Sequence, residues 1–270
     1  MVQPVPVEVR NRKFVGSGGA SDVAWSGRHR AVTRFFDGLS AIFPPGERFF
    51  IRSVRRSKKR VKDAALLREI DAFCAQEAMH GREHERYNAR AVAAGYPIDV
   101  IADEIDQLIK RIERVVPRAG SLAATCALEH YTAVFADLAL RRPEVFSAAR
   151  PEIAAMWRWH AAEETEHKAV AFDVYAETGA GYGVRASAMA IATAFFFGKL
   201  VEHQVRLMRI DGDLGSIDAW RALGRYLFVD PGGFDQVLFA AFDYLRPGFH
   251  PWQHDNRDLL DAWRRADAAD

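Results

Sequence analysis

Two segments of this chain carry side chains that bind metal ions, at a spacing that would place them on one face of a helix. Residues 76–84 read QEAMHGREH, and residues 160–167 read HAAEETEH. At about 100° per residue, a glutamate and two histidines in each segment share one helix face. These residues are Glu77, His80 and His84 in the first segment and His160, Glu164 and His167 in the second. Both contain Glu-x-x-His, which predicts metal binding.

Two isolated glutamates complete a pattern of four helices. Glu47 follows Pro44-Pro45-Gly46, which we expect to end a first helical segment so that Glu47 opens the next helix. Glu129 lies in a helical segment that begins near Ser121. A bundle with one glutamate on each of two helices and Glu-x-x-His on each of the other two can bind two metal ions between them. Four carboxylates would balance the charge of two divalent ions, and neutral imidazoles would complete the coordination. The sequence therefore predicts a dinuclear site formed by Glu47, Glu77, His80, His84, Glu129, His160, Glu164 and His167.

Some choices within this site stay open at the level of sequence. Glu163 competes with Glu164, because Glu163 and His167 also share a helix face at i, i+4 spacing. We prefer Glu164 because it reproduces the spacing of Glu77 and His80. No catalytic residue is assigned, and the roles of four further histidines are open; these are His130, His203, His250 and His254.

The pattern of apolar residues indicates an all-α protein. From residue 29 onward it is helical nearly throughout, with no convincing run of alternating β-branched residues. We expect helices near 63–94, 99–116, 121–140 and 184–210, one that carries residues 160–175, and two short ones near 217–227 and 234–244. The long interval between Glu77 and Glu129 would hold a crossover, as in a ferritin-like four-helix bundle with additional C-terminal helices. We predict a flexible tail over residues 1–28, rich in Gly, Pro and Ser, and a metal-binding domain over residues 29–270.

Composition limits the partners and the location. The net charge of +1 gives no bias toward nucleic acid, and two cysteines are too few for a disulfide framework. No signal peptide is evident, and the apolar stretch 186–198 is shorter than the roughly 20 residues that span a bilayer. We interpret this stretch as part of a buried helix and expect a cytoplasmic protein with no transmembrane segment. A homodimer is compatible with the sequence.

A second motif overlaps the first. Residues 80–84 also spell H-x-x-E-H, the zinc signature of inverzincin peptidases, in which the glutamate is the general base. Glu163 or Glu164 could then be the downstream ligand. This interpretation leaves His160, His167, Glu129 and Glu47 without a role, and it ranks second.

Several of these motifs resemble a bacterial family described as predicted metal-dependent hydrolases. They are Phe43-Pro44-Pro45-Gly46-Glu47, Gln76-Glu77-Ala78-Met79-His80, Leu128-Glu129-His130-Tyr131, residues 159–167 and residues 246–252. The resemblance covers about residues 28 to 255 and implies a metal more strongly than it implies hydrolysis. The set of ligands also looks like that of ferritin-like di-iron oxygenases, including the arylamine N-oxygenases.

Our main hypothesis at this stage is an enzyme that uses two divalent metal ions, with iron favoured over zinc or manganese, to activate O2. It would oxidise a small apolar or aromatic substrate and would need an electron donor that the sequence does not identify. The alternative is a metal-dependent hydrolase in which one or two zinc ions activate water.

Overall fold

The chain folds into helices. The computed structural model describes residues 5–14 and 24–268, and within these ranges it contains no β-strand. The α-helices are α1 (Arg30–Ser40), α2 (Phe43–Ser57), α3 (Ala64–Ala93), α4 (Ile98–Val115), α5 (Arg118–Arg141), α6 (Pro151–His167), α7 (Val170–Glu177), α8 (Tyr182–Ile210), α9 (Ile217–Phe228), α10 (Phe234–Tyr244) and α11 (Arg257–Asp267). Short 3₁₀ turns lie at Lys58–Arg60, Pro143–Phe146 and Pro251–Gln253. The prediction of an all-α fold is confirmed.

Four of these helices pack around a common interior. Helix α2 packs against α3 and α5, and α6 packs against α5 and α3, so that each helix has two neighbours within the group. Helix α4 lies in the long interval between α3 and α5 and packs against α2 and α3. Helices α1, α8, α9 and α10 cover α5 and one another. The ferritin-like topology in its finer detail stays a prediction.

Two helix boundaries differ from the sequence-based expectation. Pro44 and Pro45 were expected to end a helix, but they lie in the first turn of α2. Proline is favoured there because the first amides of a helix have no acceptor inside it. The segment 160–175 was expected to be one helix, but α6 ends at His167 and α7 begins at Val170. Helix α11 was not expected at all.

Helix α8 has the predicted extent but is more exposed than its sequence suggested. It has 29 residues, and by length and composition alone it could cross a membrane. Only 28% of its most apolar window is buried, so our interpretation of it as a buried core helix was only partly correct. Its inner face, which includes the buried His203 and Gln204, packs on α1 and α5.

The N-terminal residues 5–14 lie against α3 and α6. The backbone amide of Glu8 donates to Glu166, and the backbone amide of Phe14 donates to Glu83. Residues 1–4 and 15–23 of the predicted flexible tail lie outside the described residues, and the flexibility of the tail stays a prediction.

Candidate metal centre

The eight residues that the sequence selected as ligands come together inside the bundle. Helix α2 supplies Glu47, α3 supplies Glu77, His80 and His84, α5 supplies Glu129, and α6 supplies His160, Glu164 and His167. Each is at most 4% exposed. They include four overlapping groups of three whose ligand atoms lie within 4.8 Å of one another. These groups are Glu47-His84-His160, His80-His160-Glu164, Glu47-Glu77-His80 and Glu77-Glu164-His167.

Glu164 lies at the centre of the cluster. Its Oε1 atom is 3.0 Å from His160 Nε2, 3.5 Å from His80 Nδ1 and 3.5 Å from His167 Nε2. His167 Nε2 also lies 3.1 Å from Glu77 Oε1 and 3.5 Å from Glu129 Oε2. Imidazole nitrogens from α3 and α6 thus surround one carboxylate oxygen at the centre of the candidate metal site.

His80 and His167 are held from behind by polar side chains. His80 Nε2 is 3.1 Å from Glu163 Oε2, and an ionised carboxylate can only accept, so the imidazole proton lies on Nε2. His167 Nδ1 is 2.8 Å from Gln76 Oε1 and donates to it in the same way. In their neutral forms, His80 and His167 therefore turn the lone pairs on Nδ1 and Nε2 toward the cluster, in the orientation that a metal ligand requires.

A row of hydrogen bonds fixes the proton on His84. Asn88 donates through Nδ2 to the Ser40 carbonyl, and the Ser40 hydroxyl donates to Asn88 Oδ1. Because its own proton is used, Ser40 Oγ can only accept a hydrogen bond from His84 Nδ1, which lies 2.8 Å away. His84 Nε2 is left with a lone pair that faces His160 Nδ1 at 2.7 Å.

In this arrangement, His160 has two contacts but only one proton to donate. Burial, helped by the nearby His80, lowers the pKa of His160 to about 4, so this residue is neutral at pH 7. Its single proton can serve its contact with His84 or its contact with Glu164. The other contact then places two lone pairs face to face, and a metal ion at that position would relieve the repulsion.

Unpaired buried atoms provide the test of whether metal ions fit this site. Among the described residues, none provides a hydrogen bond to either carboxylate oxygen of Glu47, Glu77 or Glu129. The same holds for His80 Nδ1, His167 Nε2 and Glu164 Oε2. A buried carboxylate without a partner costs several kcal/mol, so a protein does not retain several of them without a compensating charge. Four carboxylates and several imidazoles form a donor set that suits divalent metal ions.

The pKa shifts indicate a cluster that attracts positive charge. Burial, reinforced by Glu77, raises the pKa of Glu47 well above its usual value. Burial alone would lower the pKa of His80, but the adjacent carboxylates of Glu163 and Glu164 outweigh burial and raise this pKa to about 10. In the metal-free protein, bound protons would therefore supply the positive charge that divalent ions supply when they bind.

Gly81 makes room for the carboxylate of Glu47. It lies in the middle of α3, where glycine is unfavourable by about 1 kcal/mol relative to alanine. A Cβ atom at this position would lie 2.9 Å from Glu47 Oε2. The close approach of α2 to α3 thus explains the glycine within the first metal-ligand segment.

The other candidate residues lie outside the cluster. Glu83, the general base of the inverzincin interpretation, accepts hydrogen bonds from Arg82, Arg86 and the Phe14 amide, so the geometry does not support that interpretation. The four histidines of open role each contact another group. His130 contacts the Ala240 carbonyl, His203 the Gly38 carbonyl, His250 Asp173 and His254 Asp243.

Sequence reasoning missed the supporting residues. Gln76 and Gly81 could have been identified from the sequence, since each is adjacent to a predicted ligand and glycine is uncommon within a helix. Ser40 and Arg10 could not, because they come from segments that only the fold brings to the site. Glu163 was considered as a ligand, whereas here it hydrogen-bonds to the outer nitrogen of His80.

Comparison with known proteins identifies the family. Searches of curated proteins and of solved structures found no match to the chain. One family model matches residues 8–255, which include all eight clustered residues. The chain therefore belongs to the family of predicted metal-dependent hydrolases.

Proposed function

We propose that the protein is a hydrolase that binds two divalent metal ions and cleaves an ester or amide of a neutral, apolar molecule. The observation that carries the proposal is an apolar cavity that ends at His160 and Glu164, two residues of the metal-ligand cluster. Family membership supports metal-dependent hydrolysis, and the cavity indicates the class of substrate.

The cavity is narrow and its walls are apolar. Its volume is about 70 Å³, and its lining includes Phe35, Phe36, Phe43, Phe135, Phe146 and Phe234. Among the described residues that line it there is no lysine or arginine. A charged group on the substrate would lose its hydration here without gaining an ion pair, so the cavity favours neutral substrates.

The chain's own residues position the reaction. Two bound divalent ions would activate water and polarise a carbonyl group. The aromatic walls exclude bulk water and orient the apolar part of the substrate toward His160. His160 contacts His84, and His84 contacts Ser40, so this row can hold one proton at the end of the cavity.

Oxidation by O2 is the second candidate. The specific observation in its favour is the donor set, because four glutamates and two Glu-x-x-His pairs are typical of helical proteins that bind two iron or manganese ions. The same apolar cavity would suit an apolar or aromatic substrate. This activity would require an electron donor.

Metal content and two parallel assays test the proposal. Metal-free protein is reloaded with Zn²⁺, Mn²⁺ or, without air, Fe²⁺, and the bound metal is measured by mass spectrometry. We expect about two ions per chain and hydrolysis of p-nitrophenyl butyrate that a chelator abolishes. Because no cation lines the cavity, mono-(p-nitrophenyl) succinate should react at least about tenfold more slowly.

Variants provide the controls. His167→Ala should lose metal and activity together, whereas His254→Ala, which changes a half-exposed histidine outside the cluster, should retain both. Hydrolysis that survives complete removal of metal would contradict the proposal. Oxygen uptake by the iron-loaded protein without any hydrolysis would favour the second candidate.

A further inference from the structure

We propose that the N-terminal segment 5–14, here called the N-terminal strap, positions His80 and His167 and slows the release of metal. The inference rests on the metal centre proposed above. It assigns a role to a part of the chain that contributes none of the eight clustered residues. Two of its groups reach the side chains that hold these histidines from behind.

The first connection runs from Arg10 to His80 through Glu163. Arg10 Nη1 lies 3.3 Å from Glu163 Oε1, and Glu163 Oε2 lies 3.1 Å from His80 Nε2. Trp159 Nε1 donates to Glu163 Oε1 at 2.9 Å, so both oxygens of this carboxylate have partners. Glu163 is fully buried and cannot rotate without breaking one of these contacts. Arg10 thereby helps to fix the plane and the proton of the His80 ring.

The second connection runs from Glu8 to His167 through Gln76. Gln76 Nε2 donates to the Glu8 carbonyl and to Glu166 Oε2, both at 2.9 Å. With both amide protons used, the side chain must present Oε1 to His167 Nδ1. Without the Glu8 carbonyl, Gln76 would lose one of the two acceptors that set its orientation. The strap thus supports the tautomer of His167 that faces the cluster.

Glu166 anchors the strap across the same region. This carboxylate is fully buried and accepts from Arg10 Nη2 at 2.7 Å and from the Glu8 amide at 3.2 Å. Arg264 of α11 donates to the same carboxylate at 2.8 Å. Because two cationic side chains compensate one buried carboxylate here, removal of Arg10 would loosen the strap and leave Glu163 without its cation.

The strap and the apolar cavity approach the cluster at different residues. The cavity reaches it at His160 and Glu164, and none of its lining residues belongs to the strap. The strap contacts the outer supports of His80 and His167 instead. A change in the strap should therefore alter metal retention without altering the walls of the cavity.

Cobalt provides the probe for this inference. The full chain is loaded with Co²⁺, and release to an excess of chelator is followed through the visible bands of the bound ion. Arg10→Ala should release Co²⁺ about 10–100-fold faster than the unchanged protein and should show altered bands, because lost outer support reorients the ligands. Arg12→Ala is the matched control. Arg12 belongs to the same strap but pairs with Asp267 of α11, so this variant should behave like the unchanged protein.

The outcomes separate the two proposals. Unchanged bands and an unchanged release rate in Arg10→Ala would overturn the inference while leaving the metal centre intact. An unchanged protein that binds no metal would instead overturn the proposed function. Circular dichroism of the metal-free variants tests folding, and Arg10→Gln, which retains one side-chain donor, decides the matter if Arg10→Ala does not fold. Arg10→Gln should release Co²⁺ at an intermediate rate, and a rate equal to that of the unchanged protein would overturn the inference.

Discussion

Replacement of Gly81 by alanine should stabilise the helix and weaken metal binding at the same time. Alanine is favoured over glycine in a helix interior by about 1 kcal/mol. The new Cβ would lie 2.9 Å from Glu47 Oε2 and 4.0 Å from the Cα of Pro44, so the strained contact is with the end of a flexible side chain. The carboxylate of Glu47 can move away, and the metal-free protein should therefore retain the gain in stability.

The displacement of the Glu47 carboxylate should weaken metal binding. An ordinary contact begins near 3.4 Å, so the carboxylate must move by about half an ångström from 2.9 Å. A ligand displaced by this amount no longer fits the geometry of the other donors, and we expect a loss of about tenfold in metal affinity.

Two measurements on one pair of variants test this reasoning. Calorimetry of the metal-free Gly81→Ala protein should show a melting temperature about 2–4 °C higher. Competition with a coloured chelator should show the weaker metal affinity. Gly198→Ala in α8 is the control, because the added Cβ would meet nothing within 4 Å beyond the backbone of its own helix, and α8 supplies none of the clustered residues. Unchanged metal affinity in a folded Gly81→Ala protein would refute the contact with Glu47 or its role as a ligand.

Two further predictions concern pH and the cavity. Burial, partly offset by the hydrogen bond to Ala240, lowers the pKa of His130 from 6.5 to about 4. Between these two pKa values the unfolded chain binds more protons than the folded protein, so acidification from pH 7 to pH 4 should lower the free energy of unfolding by about 3 kcal/mol. This loss should be absent from His130→Gln when urea titrations at pH 7 and pH 4 are compared. An equal pH dependence in the two proteins would contradict this. Ala139→Trp, at a half-buried position of the cavity wall, should reduce hydrolysis of p-nitrophenyl butyrate at least about tenfold while bound metal stays unchanged, and full activity would place the substrate elsewhere.

Helical periodicity was sufficient for the fold class and for the choice of ligand candidates. The period of 3.6 residues places Glu77, His80 and His84 on one face whatever the rest of the chain does, because it depends only on local backbone geometry. It could not distinguish Glu163 from Glu164, since neighbouring residues on a helix both point partly toward the same partner. The position of α3 beside α6 makes that distinction: Glu164 faces the cluster and Glu163 hydrogen-bonds to His80.

The sequence by itself therefore determined an all-helical chain with acidic and imidazole side chains on the faces of particular helices. Only the tertiary structure decided what stands behind those side chains. Ser40 and Arg10 reach the site from segments distant in sequence, and Gly81 acquires its meaning only from the nearby carboxylate of Glu47. The physical reason is that hydrogen bonds and close packing act over a few ångströms in space, and no local pattern in a sequence records which distant residues the fold brings within that range.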